Sequence, residues 1–335
     1  MKALVVGGGS IGRRHLRNLQ TLGVEQLALA EVLPDLREQV GQELGVQKFG
    51  TLEDGLLWGP QFVIVATPPH LHIQQALLVT DADVDLFIEK PMAHRAEGIE
   101  LLVERLRRSG CVSMVGCNMR FHPGPVRVKQ FLDESRLGKI RFARLHVGSY
   151  LPEWRPGADY RKNYAAKAET GGGCMLDCIH EIDLARWYLG EPEEVMAYAA
   201  RLSNLEIETE DYAFLLVRHA SGAMAEIHLD YLQRTYERGC QIVGESGSVF
   251  WDFRDAQVRW YDATLRRWTE FAQPATWTLN DMYVAEMRHF LECVRDRKPT
   301  TLPVAEAAKV MELVFAAKQS AQEKSPVSVH REVIV

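Results

Sequence analysis

The chain has 335 residues, 47% of them hydrophobic and 25% charged, with a formal net charge of -6. This is ordinary for a globular protein and long enough for two cores. An acidic balance without a basic stripe argues against nucleic-acid partners, and the lack of an apolar run of about eighteen residues argues against a membrane partner.

The first residues read as a strand, Ala3 to Val6, running into the glycine turn Gly7-Gly8-Gly9-Ser10-Ile11-Gly12 and then a helical pattern from Arg13 to Leu22. No signal peptide precedes that strand, so the expected location is cytoplasmic. In a G-x-G-x-x-G turn the first glycine allows the tight bend, the second lets a pyrophosphate approach the backbone, and the third lets helix and strand pack closely. Gly7, Gly9 and Gly12 fit these roles, with Ser10 and Ile11 opening the helix whose amides face the phosphates. A second apolar run, Leu27 to Ala30, ends at Glu31, and an acid at that spacing accepts the ribose hydroxyls and repels a 2′-phosphate. Val32 beside it supplies no cation, which points to NAD over NADP.

Further apolar runs at 62–66, 86–88 and 112–115 alternate with helical patterns at 36–44, 73–79 and 97–108. Such alternation predicts a doubly wound parallel sheet of the Rossmann type, an α/β domain expected over residues 1–121. After a helical stretch near 125–137 the texture changes to strands at 139–150, 194–202, 212–218, 223–231, 238–243, 248–253 and 257–261. These predict a second, α+β domain over 122–335 with a largely antiparallel, open-faced sheet. An open face predicts a homo-dimer or homo-tetramer. Two amphipathic helices, about 281–297 and 304–319, pack back on the body.

Three segments put polar residues where strands end. Thr67-Pro68-Pro69 is a rigid turn that would wall the nicotinamide half of a cofactor. Glu89-Lys90-Pro91 puts a lysine at the end of a buried strand, where a cation hydrogen-bonds a substrate hydroxyl and favours its alkoxide. Gly171-Gly172-Gly173 leads into a helix carrying Asp177, His180 and Asp183, whose spacing of three places them near one face, the histidine as proton acceptor. Cys174 and Cys178 stand beside this histidine, but their spacing is uncommon for zinc and no second ligand pair is evident, so no metal is expected. All six cysteines read as reduced thiols.

Taken together these segments resemble the Gfo/Idh/MocA family of oxidoreductases, named for glucose-fructose oxidoreductase and inositol dehydrogenase. The resemblance runs through Gly7 to His15, Ala66-Thr67-Pro68 with His72, Glu89-Lys90-Pro91, Asn118 to Arg120, and Gly171 to Asp183. It implies catalytic roles for Lys90, His180 and Asp177 beside the nicotinamide. It also implies cofactor contacts from Thr67, Pro68, His72, Glu89 and Asn118, and substrate contact from Arg120. One departure is that His180 follows Asp177 by three residues where the family usually has four, which leaves Asp177 and Asp183 as rival supports for the imidazole.

The activity so implied is an NAD-dependent transfer of hydride between nicotinamide and a secondary alcohol or ketone of a sugar, sugar acid or nucleotide sugar. A glycosidase using NAD transiently and a non-catalytic NAD-binding sensor are the alternatives; Lys90 together with His180 counts against the sensor. Residues 150–164 carry Trp154, Arg155, Tyr160 and Arg161, aromatic faces for a sugar ring and guanidinium forks for an anionic group. The competing reading of that loop is a surface segment whose arginines pair with Glu153 and Asp159.

Overall fold

The computed structural model describes residues 1–155 and 157–329. The chain divides into two compact units, the first made of residues 1–118 and 278–309, the second of 119–277 and 310–329. The first segment of the first unit ends at Asn118. Residues 278–309, expected in the second domain, cluster with the first.

The first unit alternates β1 (Lys2–Val6), α1 (Ser10–Thr21), β2 (Gln26–Ala30), α2 (Pro34–Leu44), β3 (Gln47–Phe49), α3 (Leu52–Leu57), β4 (Phe62–Val65), α4 (Pro69–Asp81), β5 (Asp85–Glu89), α5 (Ile99–Ser109) and β6 (Ser113–Gly116). The second begins with α6 (Pro123–Asp133), β7 (Ile140–Gly148), α7 (Cys174–Asp177) and α8 (Ile179–Leu189). It continues as the strands β8 (Pro192–Ala200), β9 (Tyr212–His219), β10 (Met224–Asp230), β11 (Glu237–Gly244), β12 (Gly247–Asp252), β13 (Gln257–Asp262) and β14 (Arg267–Ala272). Then come α9 (Leu279–Asp296), α10 (Val304–Glu323) and the short β15 (Val327–Ser328).

In the first unit the strand order is β3-β2-β1-β4-β5-β6, all parallel. Parallel strands are covered on both faces, which is why β4 reads as the unbroken run Phe-Val-Ile-Val, fully buried. The order reverses between β1 and β4, so the ligand crevice lies at their carboxyl ends. The short, polar β3 and the single-turn-and-a-half α3 carried no clear periodicity in the sequence. α9 starts from a capping box between Thr278 and Asp281 and sets Phe290 edge-on against Phe62 and Phe87, each 5.5 Å away between ring centres.

The second unit is a nine-stranded sheet in the order β14-β13-β12-β11-β7-β10-β9-β8-β15, with β7 and β10 parallel and the other neighbours antiparallel. Strand alternation separates its faces. Ala143, Leu145, Ala225, Ile227, Leu215 and Val217 are buried, against a face that α8 helps to cover. Arg144, Glu226, Leu216 and Tyr198 lie on the opposite face, where Arg144 and Glu226 pair at 2.8 Å and Leu216 and Tyr198 stay exposed.

Candidate active site

The glycine turn is shaped partly by the protein and partly by what it holds. Gly7 has φ +99°, and a Cβ there would come within 2.8 Å of Ala66 O. At Gly12 an added Cβ would lie 1.9 Å from Gly7 O, so the helix sits on the turn with no room for a side chain. Gly9 is different: a Cβ there would meet no protein atom within 4 Å. The protein leaves open space over Gly9, at the start of a helix that has neither a side-chain cap nor an acid in its first turn. Amides so exposed, with the backbone approachable from outside, fit a pyrophosphate. Ser10 and Ile11 form that first turn.

Glu31, at the end of β2, is nearly buried and accepts the Gly8 N–H at 2.7 Å and the Leu33 N–H at 2.9 Å. Its carboxylate is thereby aimed across the glycine turn with lone pairs to spare for a ribose diol. Sequence reasoning missed Arg37, whose guanidinium donates to Glu31 O at 2.8 Å. The arginine stands one turn into α2, so the cation absent from position 32 arrives from the helix instead, where it holds Glu31's backbone.

At the end of β4, Thr67 Oγ1 donates to Gln75 Oε1 at 2.6 Å. Pro68 is the extended residue before α4. His72 is fully buried with Nε2 2.7 Å from Thr67 O and Nδ1 2.9 Å from Pro91 O. Burial is the largest influence on this ring and lowers its pKa. His72 therefore sits between the Thr67 and Lys90-Pro91 turns with a ring nitrogen facing a carbonyl of each, and as a neutral ring donates to one of them. Glu89 is the other organiser. Its Oε1 lies 2.6 Å from His15 Nε2 and its Oε2 accepts the Lys90 backbone N–H at 3.2 Å, so one carboxylate fixes the backbone that carries Lys90. His15 was not singled out in the sequence as a site residue, although it closes the glycine-turn motif. Asn118, buried, follows β6 at the edge of this unit.

In the second unit the helix expected to carry three residues on one face is broken. Asp177 ends α7, Cys178 has the non-helical pair φ -89°, ψ 31°, and His180 and Asp183 belong to α8. A single face therefore unites His180 with Asp183 only, and Asp177 is aimed separately. Its Oδ1 accepts the Tyr164 hydroxyl at 2.9 Å. Asp183, fully buried, instead grips Arg120 in a two-pronged pair, Nε to Oδ2 at 2.8 Å and Nη2 to Oδ1 at 2.7 Å. Arg120 also stacks over Trp187, 5.2 Å from the ring centre. Asp183 and Arg120 thus neutralise each other in the core. Among the described residues no group of three or more His, Cys, Asp or Glu side chains is arranged to hold a metal. Cys174 and Cys178 are buried and joined in no disulfide, and burial pushes Cys174 well up from the ordinary thiol value.

The 150–164 loop, whose Pro156 lies outside the described residues, is tied down at both ends. Trp154 donates to Ser149 Oγ at 2.8 Å and meets the buried Tyr231 edge-on at 5.1 Å, while Tyr164 reaches Asp177. Between them is a cavity of about 240 Å³ lined by Leu151, Trp154, Arg155, Tyr160 and Lys162 among others. Arg161 does not line it. Its guanidinium is committed to Asp159, at 2.8 Å, and Glu206, at 3.0 Å. The Tyr160 hydroxyl accepts the Glu206 N–H at 3.2 Å.

Two family models divide the sequence much as the units do. Residues 1–117 match the oxidoreductase family with an NAD-binding Rossmann fold, and residues 126–250 match the GFO/IDH/MocA C-terminal domain. The chain belongs to the Gfo/Idh/MocA family. Within the family it is 27% identical to scyllo-inositol 2-dehydrogenase (NAD(+)) of Bacillus subtilis (strain 168), over 98% of this chain and 96% of that one. Levoglucosan dehydrogenase, solved with NADH and L-sorbose, superposes with a TM-score of 0.90 at 19% identity, covering 99% of both chains. The WlbA dehydrogenase from Bordetella pertussis, solved with NADH and UDP-GlcNAcA, superposes with a TM-score of 0.83 at 25% identity over 98% of each.

Proposed function

We propose that this NAD-dependent dehydrogenase acts on a secondary hydroxyl of a sugar-like ring, with Lys90 polarising the reacting oxygen and His180, supported by Asp177, exchanging its proton. The observation that carries the reading is Lys90 itself. It stands at the carboxyl end of β5, its backbone clamped by the Glu89 carboxylate, in an NAD-binding Rossmann fold where that end of the sheet is the ligand edge. NAD, when bound, accepts or returns the hydride. Everything else falls to the protein. A fixed ammonium stabilises developing alkoxide charge, and an imidazole takes up the hydroxyl proton and gives it back. The Tyr164 hydroxyl bond to its Oδ1 restrains the Asp177 carboxylate.

On the substrate side, Arg155 and Lys162 are exposed cations on the loop cavity, and the aromatic walls of Trp154 and Tyr160 suit a ring face. This supports an anionic sugar, a sugar acid or a nucleotide-linked sugar, with Arg155 and Lys162 taking the parts expected of Arg120 and Arg161. The experiment is turnover of NAD with inositols, neutral sugars, sugar acids and nucleotide sugars, by wild type, Lys90→Met and His180→Ala. The active class identifies the substrate, and each variant should lower the hydride-transfer rate by roughly two to four orders of magnitude with NAD binding retained. Release of a free sugar without NADH build-up would mark the glycosidase instead. The exposed Tyr198 and Leu216 on the open sheet face support a homo-dimer or homo-tetramer, tested by light scattering of the purified protein. No helix of the described residues is long and apolar enough to cross a membrane, in keeping with a cytoplasmic enzyme.

A further inference from the structure

Glu286 is the most anomalous side chain in the first unit. It sits on the inward face of α9, one turn before the core residue Phe290, and is entirely buried. Neither carboxylate oxygen has a hydrogen-bond partner among the described residues. A buried carboxylate without partners would be far costlier than almost any other core defect, so the group must carry a proton. Burial and the neighbouring Glu89 anion both push its carboxyl well above the usual range.

The surroundings say what that proton does. Glu89 already takes His15 on one oxygen and the Lys90 N–H on the other, and each oxygen keeps a second lone pair. From the other elements around the pair come Arg14 on α1, stacked 4.4 Å over the Tyr283 ring, and Tyr283 itself on α9, together with Lys90 at the end of β5. On the β6 side an added Cβ at Gly116 would press within 3.3 Å of the Glu89 carboxyl carbon. Glu89 is thus the anion whose charge bears on Glu286, and a protonated Glu286 has an O–H to give.

We propose that Glu286 is a positioning residue: as a neutral acid it donates its proton's hydrogen bond to Glu89, and so holds the carboxylate that clamps the backbone of Lys90. The inference rests on the reading of Lys90 as the cation at the reacting oxygen, although the presence of the proton can be tested without any substrate. A second ionised carboxylate here would repel Glu89 and draw Lys90 inward; a donor does the reverse.

The test compares wild type with Glu286→Gln, which keeps a neutral donor, and Glu286→Leu, which keeps bulk without one. Infrared difference spectra at neutral pH should show the carbonyl band of a protonated carboxylic acid in wild type that both variants lose. In turnover, Glu286→Leu should lower kcat by roughly ten- to hundredfold, the worth of a hydrogen bond to a charged group. Its kcat/KM profile should move its Lys90 limb to higher pH as Glu89 loses a donor. Glu286→Gln should lose less, with that limb within about 0.3 pH unit of wild type, because one neutral group replaces another. Absence of the protonated-acid band overturns the proposal. So does a limb displaced to lower pH in Glu286→Gln, which would reveal a lost negative charge, or equal kcat and limbs in the two variants, which would make Glu286 a space-filler. If Glu286→Leu does not fold, the band and the Glu286→Gln limb decide. If no sugar turns over at all, the substrate reading has failed and the infrared result still stands.

Discussion

The glycine turn of the first unit and the aromatic loop of the second are built by different forces. At Gly12 an added Cβ would fall 1.9 Å from a carbonyl oxygen, so packed backbone dictates the residue; at Gly157 in the loop a Cβ would meet nothing within 4 Å, and it is the left-handed φ of +82° that favours glycine there. The loop is held instead by side-chain pairings, Trp154 to Ser149, Tyr164 to Asp177 and Arg161 to Asp159 and Glu206. A turn set by close backbone contact admits no other residue, while a loop held by exchangeable side chains can be refitted without disturbing the fold.

The sharpest way to break this contrast is at the two aspartates of the second unit. Asp183→Asn leaves Arg120 buried without its counter-charge and should cost about 3 to 5 kcal/mol of stability in a urea titration. Asp177→Asn should leave stability nearly intact and lower kcat. If Asp183→Asn is the stable one and loses only rate, the pairing with Arg120 is incidental and Asp183 serves the imidazole after all.

Next come the glycines. Gly12→Ala should cost about 3 kcal/mol, since the clash is with backbone that cannot rotate away, and Tm would fall accordingly. Gly9→Ala should melt within a degree or two of wild type and lose NAD affinity by about tenfold or more, because only the ligand needs that space. Comparable Tm losses at both positions would mean that the turn is shaped by the protein alone.

A third measurement probes pH. His122 accepts the Gly124 N–H through Nδ1 at 3.1 Å, and burial, with Arg238 adding to it, lowers its pKa to about 4. The folded state therefore binds this proton more weakly than the unfolded chain does. Its contribution is complete above the unfolded value near 6.5 and is lost as pH falls toward 4, about 2 kcal/mol between pH 7 and pH 5. His122→Asn, which keeps an acceptor without the titration, should flatten that loss; an unchanged slope assigns the acid sensitivity elsewhere.

The smallest effects belong to the loop. Arg155→Ala and Lys162→Ala should each raise KM for an anionic sugar roughly tenfold, whereas Arg161→Ala should leave KM unmoved because its guanidinium is turned to Asp159 and Glu206. A KM effect confined to Arg161 would reverse the assignment.

What could be read in advance follows the same division. The cofactor half is local: strand, glycines, helix and Glu31 sit within one stretch of chain, and their order alone implies the parallel sheet. Glu89-Lys90-Pro91 is equally compact. The rest depends on partners far away in sequence. Nothing near Asp183 announces Arg120, nothing near Arg161 announces Glu206, and the break at Cys178 that separates Asp177 from His180 has no proline or glycine to signal it. The strand β14 is mostly exposed and lacks the alternation that betrayed its neighbours. α9 shows its helical period plainly, but amphipathicity does not say which sheet a helix will cover.

That last point bears on how the protein is made. Phe290 fills the gap between Phe62 and Phe87, and the Leu302 carbonyl takes the Val115 N–H, so the parallel sheet lacks part of its core and its edge until residues from near the carboxyl end arrive. At ribosomal speeds the delay between synthesis of β6 and of α10 is on the order of ten to forty seconds. During that interval the nascent nucleotide-binding half exposes an aromatic groove. A fragment ending near residue 121 would keep this groove permanently, and the chain closes it only once Phe290 has been made.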